Sequence, residues 1–165
     1  PTLARDGRPL CLRPVSMDDA DILLAWQKDP RTRRYARNSE SPDYEAHVHW
    51  LTERLDDPLT ILSMILHNGV PAGTIRLELD DYRKGYEVSI NVDPSRWNTG
   101  IAKAALELAR RLVPDVEFRA YVLTENTASH ALFRSAGYTP SSQPNWYVLP
   151  GSDGSSVVLG TRRVF

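Results

Sequence analysis

Residues Tyr86 to Leu106 read YEVSINVDPSRWNTGIAKAAL, a strand, a short loop and a helix in succession. Tyr86, Val88, Ile90 and Val92 alternate with Glu87, Ser89 and Asn91, the period-two pattern of a strand with two different faces, and Pro94 ends the ladder. After the loop, Ile101, Ala104, Ala105, Leu108, Ala109 and Leu112 recur at helical spacing, with Lys103, Glu107, Arg110 and Arg111 on the wet side. The first turn of a helix carries unpaired N–H groups and the positive end of its dipole. Gly100 and Ala102 have little or no side chain to block an anion there, so the loop predicts a phosphate seat. Small residues two apart at a helix start serve close packing equally well.

Working outward, Pro114 ends the helix, and Val116, Phe118, Ala120 and Val122 alternate in a further strand. A strand, a helix and a strand at this distance form a right-handed crossover, which predicts that the two strands are parallel. Asn126 is placed to cap the next helix, with Ala128, Ala131, Leu132 and Ser135 inward and Gly137 at its end; Tyr138 onward is strand-like. Upstream, Leu10 to Val15 reads as a strand. Ser16 and Asp19 resemble a capping box opening a helix with Ile22, Leu23 and Trp26 on its apolar face, stopped by Pro30. A second helix after Pro42 carries Tyr44, Val48, Leu51 and Leu55 on one stripe. Thr60 to Leu66 and the alternation of Ile75, Leu77 and Leu79 are strands joined at an Asn68-Gly69 turn. A polar turn around Lys84-Gly85 leads back to the central strand, and the last fifteen or so residues read as a Gly/Ser turn with a final strand or a loose tail.

Two motifs in this order resemble the GNAT superfamily, the Gcn5-related N-acetyltransferases. The first is Val92, Asp93 and Pro94 followed by Gly100, Ile101 and Ala102. The second is Glu125 and Asn126 with Ser129, Leu132, Phe133, Gly137 and Tyr138. The resemblance implies an α/β (α+β) fold of one domain over residues 1–165. It has a mixed, mostly antiparallel sheet of six to seven strands, a splayed parallel pair of fourth and fifth strands, and about four flanking helices. It further implies acetyl-CoA as cofactor, lying in the splay. Ile90 and Val92 would serve through their backbone, Asn98, Thr99, Gly100, Ile101, Ala102 and Lys103 as the pyrophosphate loop, and Asn126, Ser129 and Phe133 along the pantetheine arm. The family's usual Arg or Gln before the glycine is Trp97 here, with Arg96 one position off, the usual glycine after it is Asn98, and a common acidic Tyr is Phe133.

The reaction implied is direct acetyl transfer to an amine, which needs a base and a donor for the developing oxyanion. Glu87 sits where the family often places a carboxylate base, and an exposed strand charge is the plain alternative. His47 and His49 fall in the helix that shapes the acceptor pocket. His47 is the candidate, since EAHVHWL resembles a stretch of bacterial nucleotide-sugar acetyltransferases, whereas a helix histidine is more often a partly buried polar contact. Ser129 or Tyr138 are candidates for the acid that Phe133 cannot be; helix-surface solvation is the ordinary role of Ser129.

Trp26, Asp29, Pro30 and Arg33 match a W-x-x-D-P-x-x-R pattern of enzymes that acetylate nucleotide-linked amino sugars. Arg31, Arg33, Arg34 and Arg37 gather around Tyr35, either as a solvated loop or as a diphosphate site beside Trp26 and His47. The acceptor expected is therefore a small-molecule primary amine, a UDP-linked amino sugar by this resemblance. A Rim-type enzyme acting on a protein N-terminus is the alternative, and a non-catalytic CoA-binding module is a third reading, prompted by Trp97 and Phe133. A formal charge of −1 argues against a nucleic-acid partner, no run approaches a membrane span, and no metal is needed. The lone Cys11, in an apolar run suited to core packing, fits a reducing, cytoplasmic setting as monomer or homodimer. The chain begins at Pro1 without Met, as a processed chain or a segment of something longer would.

Overall fold

The computed structural model describes residues 2–80 and 85–152. Its order is β1 (Leu10–Pro14), α1 (Ala20–Lys28), α2 (Pro30–Arg33), α3 (Tyr44–Asp56), β2 (Thr60–His67), β3 (Val70–Leu79), β4 (Gly85–Val92), α4 (Ile101–Leu112), β5 (Glu117–Tyr121), α5 (Thr127–Ser135), β6 (Thr139–Pro140) and β7 (Trp146–Leu149). The strands form one seven-stranded sheet in the order β1-β2-β3-β4-β5-β7-β6, antiparallel except for β4 beside β5. The mixed fold with a parallel fourth and fifth strand is as the resemblance implied. The polar turn read around Lys84 and the final strand or tail lie outside the described residues.

Alternation along β2 assigns each side of the sheet its own core. Ile61 and Ile65 join Ile75, Leu77, Val88, Phe118 and the α4 residues Ile101, Ala105 and Ala109, while Leu62 and Met64 join Trp26, Leu23 and Leu51 of α1 and α3. Asn68 and Gly69 take φ of 52° and 79°, the left-handed pair that a two-residue hairpin needs, and set β2 against β3. Ser16 and Asp19 form the expected capping box, opening a short 3-10 turn before α1. Asp19 also accepts two hydrogen bonds from Arg13, and that guanidinium holds its carboxyl below the usual range.

Several faces differ from their sequence reading. The RTRR stretch, expected as loop, folds into α2 because Asp29 accepts from Arg31 N and Pro30 stands at the first helical position. In α3 the buried residues are His47 and Leu51, while Tyr44 is exposed, so the helix is rotated from the predicted stripe. In α5 the only buried residue is Phe133; Ala128, Ala131 and Ser135 face solvent. That helix packs through one aromatic ring against Tyr138 and Tyr147, which outweighs the smaller side chains. In α4, Leu106 is buried and Leu112 is exposed, and Val113, capping the helix end, is buried. Arg110, read as wet, is folded under the helix end, donating to Val113 O, Val116 O and Leu149 O over the Phe118 ring. Cys11, expected in the core, is exposed on the edge strand β1.

Candidate active site

β4 and β5 are paired only from Gly85↔Glu117 to Glu87↔Arg119, although β4 continues to Val92 and β5 to Tyr121. Beyond Glu87 the two strands part. Val88 to Val92 keeps its β3 partners on one side and has no strand partner on the other among the described residues, an open edge for an extended amide chain. Tyr86, Val88 and Val92 pack toward α4, so Glu87, Ser89 and Asn91 face the side covered by α1 and α3. Glu87 is thus at the point of separation, half-buried, on the face away from α4.

The loop after β4 carries two left-handed residues, Asn98 at φ 62° and Gly100 at φ 84°. Asn tolerates this region better than other side chains, so Asn98 keeps the backbone that a glycine would give. Trp97 turns its indole back to donate to Val92 O at 2.9 Å, pinning the loop to the strand end. Among the described residues, the N–H groups of Ile101, Ala102 and Lys103 have no backbone acceptor, and the first helical bond runs from Ala104 N to Gly100 O. Lys103 lies 3.9 Å from Glu107, one turn along.

Arg5, which sequence reasoning did not single out, lies over Gly100. A Cβ there would stand 3.2 Å from both Arg5 Cβ and Nε, and Arg5 Nη1 donates to Asn98 O at 3.4 Å. Arg5, Arg96, Asn98 and Thr99 line a cavity of about 440 Å³ beside the helix start. Its back wall is a chain of contacts in which Arg96 Nη1 donates to His67 Nδ1 at 3.2 Å and His67 Nε2 donates to Asp6 at 3.0 Å. That histidine hydrogen bond holds the Asp6 carboxyl below the ordinary carboxylate range. No local pattern could reveal Arg5, because Asn98 is 93 positions away in the chain. Free amides, a side-chain-free approach at Gly100, two guanidiniums and an unpaired strand edge fit a ligand with an extended amide arm and a diphosphate, which is the chemistry of acetyl-CoA. Among the described residues no three metal-ligating side chains come together, and no helix is long and apolar enough to cross a membrane.

Across the splay, Asn126 Oδ1 accepts from Ser129 N as the cap of α5, and Ser129 is half-buried on its first turn. His130 and Tyr147 form a clasp missed in the sequence: Nε2 donates to Leu123 O at 3.0 Å, leaving Nδ1 to accept from the Tyr147 hydroxyl at 2.7 Å. Tyr138 is not at the splay. Among the described residues its buried hydroxyl has no hydrogen-bond partner, and its pKa is pushed upward by burial, beside Arg110 at the far end of α4 from Gly100.

The expected acceptor residues are not gathered into one site. Trp26 is buried in the core under α1. Arg31 makes a two-pronged contact with Asp29, and Arg33 donates to Asn38 O, Glu40 O and Gln27 Oε1, stapling the loop that follows α2. Arg34 lies over the Tyr35 ring at 5.2 Å, Arg31 also feels the charge of Asp93 just past the end of β4, and Arg37 reaches the splay, donating to Glu87 Oε1 at 2.6 Å. His47 is buried between α1 and α3, with Nε2 donating to Ala20 O at 3.1 Å and its ring stacked near Trp50. Burial lowers its pKa.

The His47 geometry is that of a helix clasp, and it has a pH consequence. The folded state favours neutral imidazole, so below the unfolded value of about 6.5 the unfolded chain binds more protons. The contribution is present above that pH and is lost as pH falls from it toward the depressed folded value. Thermal unfolding of His47→Gln is expected to show a lower Tm at pH 7, by about 1–3 kcal/mol of lost contact, and a shallower decline on going below pH ~6.5. An unchanged slope would remove His47 as the source.

A family model for the acetyltransferase (GNAT) domain matches residues 9–139. Among curated proteins none matches the chain. Solved structures do. RimL, the ribosomal L7/L12 alpha-N-protein acetyltransferase in complex with coenzyme A, has a TM-score of 0.74 at 15% identity over 88% of this chain and 96% of its own. Spermidine N-acetyltransferase from Vibrio cholerae, with CoA and spermine, gives 0.72 at 14% identity over 84% and 91%. The aminoglycoside acetyltransferase AAC(6')-Ib, with coenzyme A and kanamycin, gives 0.75 at 13% identity over 86% and 95%. At these identities the likeness is one of fold.

Proposed function

This chain belongs to the GNAT acetyltransferase family, and from that premise we propose that it moves an acetyl group from acetyl-CoA to a small-molecule primary amine bound at Glu87. The observation that carries the reading is the coincidence of two features on β4. The strand loses its partner immediately after Glu87, and its own C-terminal loop presents free amides at Gly100 to Lys103.

Bound acetyl-CoA supplies a thioester carbonyl open to attack by a neutral amine. Ile101, Ala102 and Lys103 would hold its diphosphate through their N–H groups, with Arg5 and Arg96 alongside. The free edge of β4 would hold its amide arm, with Val92 positioned by Trp97. Glu87 would accept the proton that an ammonium must lose before it can attack, directly or through one water. Asn126 would act by fixing the start of α5, on whose first turn Ser129 lies. Residues 1–165 would work as one domain, since both cores are built on opposite faces of the same β2.

A UDP-linked amino sugar is the finer acceptor that the sequence resemblance suggests. Seating its diphosphate would draw Arg31, Arg33 or Arg37 away from Asp29, the loop carbonyls or Glu87. A thiol-release assay with acetyl-CoA tests the acceptor across a diamine, an aminoglycoside, a UDP-amino sugar and a peptide N-terminus. Turnover with at least one small amine and little with the peptide is the expected result. Turnover with the peptide alone would make the Rim-type reading correct, and acetyl-CoA binding with no turnover on any amine would make the chain a binding module.

A further inference from the structure

Arg37 comes from the loop after α2 and reaches a carboxylate 50 positions away. Its Nη2 donates to Glu87 Oε1 at 2.6 Å, while its Cζ stands 4.2 Å from the Tyr121 ring centroid and 5.6 Å from that of Trp146. Those two rings meet edge to face at 5.4 Å, on neighbouring strands paired Tyr121↔Trp146. One carboxylate with two aromatic rings is a receptor for an ammonium or guanidinium ion, since the carboxylate supplies charge and the ring faces supply negative quadrupole. The receptor stands where β4 and β5 part, on the face away from α4.

Among the described residues, no neighbouring charge hydrogen-bonds Glu87 in Arg37's place. Arg76 feels the Glu87 charge, but its close contacts are Glu78 at 2.8 Å and Ser89, and Arg119 is held by Glu117 at 2.6 Å. The Arg37 contact is itself exposed, at 56% of its side chain against 29% for Glu87. Exposed ion pairs and exposed cation–π contacts are individually weak, so another cation can displace this one.

We propose that Glu87, Tyr121 and Trp146 form the seat for the acceptor's ammonium group and that Arg37 is its resident occupant, which an aliphatic amine carrying no anionic group must displace. This rests on the acetyltransferase reading and names its substrate class: aliphatic mono- or diamines enter as ammonium, exchange with the Arg37 guanidinium, and then lose a proton to Glu87. Amines attached to a diphosphate are disfavoured, because the seat carries the negative charge.

Calorimetric titration with 1,4-diaminobutane at fixed ionic strength tests the seat without turnover, and the thiol-release assay runs beside it. Arg37→Ala is expected to tighten diamine binding and lower its KM by about tenfold, with the acetyl-CoA KM unchanged, because a weak internal competitor is gone. Trp146→Ala and Tyr121→Leu, each in the Arg37→Ala background, are expected to weaken the diamine by a factor of several, and methylguanidinium should compete with it. If Arg37→Ala weakens the diamine, or abolishes binding of UDP that the parent protein binds, Arg37 is a contact for the acceptor and the seat is overturned. Turnover that is intact and indifferent to all three substitutions sinks the seat alone. Tightened binding without turnover sinks the enzyme reading and leaves the seat standing.

Discussion

Glu87→Gln is expected to lower kcat by ~10²- to 10⁴-fold, the range for loss of a general base, while acetyl-CoA affinity stays within about twofold. Glutamine keeps the length and a hydrogen-bonding oxygen for Arg37, so the substitution isolates proton acceptance from packing. The side chain is half-buried at the last β4–β5 pair, where a small change in shape leaves the flanking Tyr86 and Val88 core intact. Stopped-time thiol release with the best amine from the panel gives kcat, and titration with acetyl-CoA gives the second quantity. A fall of less than about threefold returns Glu87 to the status of a surface charge. Ser129→Ala would then be the next variant, since His47 is walled into the α1–α3 junction.

Gly100→Glu is expected to raise the acetyl-CoA dissociation constant by about 100-fold or more, equivalent to ~2.7 kcal/mol. Three effects act together. The position has φ 84°, where an L side chain is strained by roughly 1–2 kcal/mol. A Cβ would crowd Arg5 at 3.2 Å. The new carboxylate also engages the guanidinium beside the seat and places negative charge where the diphosphate would lie. Gly100→Ala carries the strain and crowding without the charge, and is expected near tenfold. Calorimetric titration checks both, with thermal unfolding to show that the fold persists. Unchanged affinity in a folded Gly100→Glu protein would move the cofactor's diphosphate away from this loop.

The central unit was legible because its information is local. Alternation from Tyr86 to Val92, Pro94, and a helix beginning at Gly100 needed no contact with the rest of the chain to be read, and the parallel pairing follows from the crossover that joins β4 to β5, whereas the splay was implied by the family resemblance. The Asn68-Gly69 turn, the Ser16 capping box and the Asn126 cap were legible for the same reason. Helix faces were less so. In α3 the stripe of Tyr44, Val48, Leu51 and Leu55 was right at Leu51, but Tyr44 is exposed and the buried face takes His47 instead, which donates to Ala20 O, a partner that no local pattern in the helix indicates. In α5, Phe133 outweighed three small residues because one ring buries more apolar surface than they do together.

By itself, then, the sequence determined most element types, the parallel pair and the left-handed loop before α4, which are encoded in periodicity and in residues with restricted dihedrals, and its two motifs identified the family, while the helical turn at Pro30–Arg33 was not read. Only the tertiary structure decided what the arginines do. Arg31 turns to Asp29, Arg33 to loop carbonyls, Arg37 to Glu87 and Arg5 to the Gly100 loop. A long, flexible, always-charged side chain takes whichever carboxylate, carbonyl or ring the fold brings within reach, and that choice has no local signature in the chain.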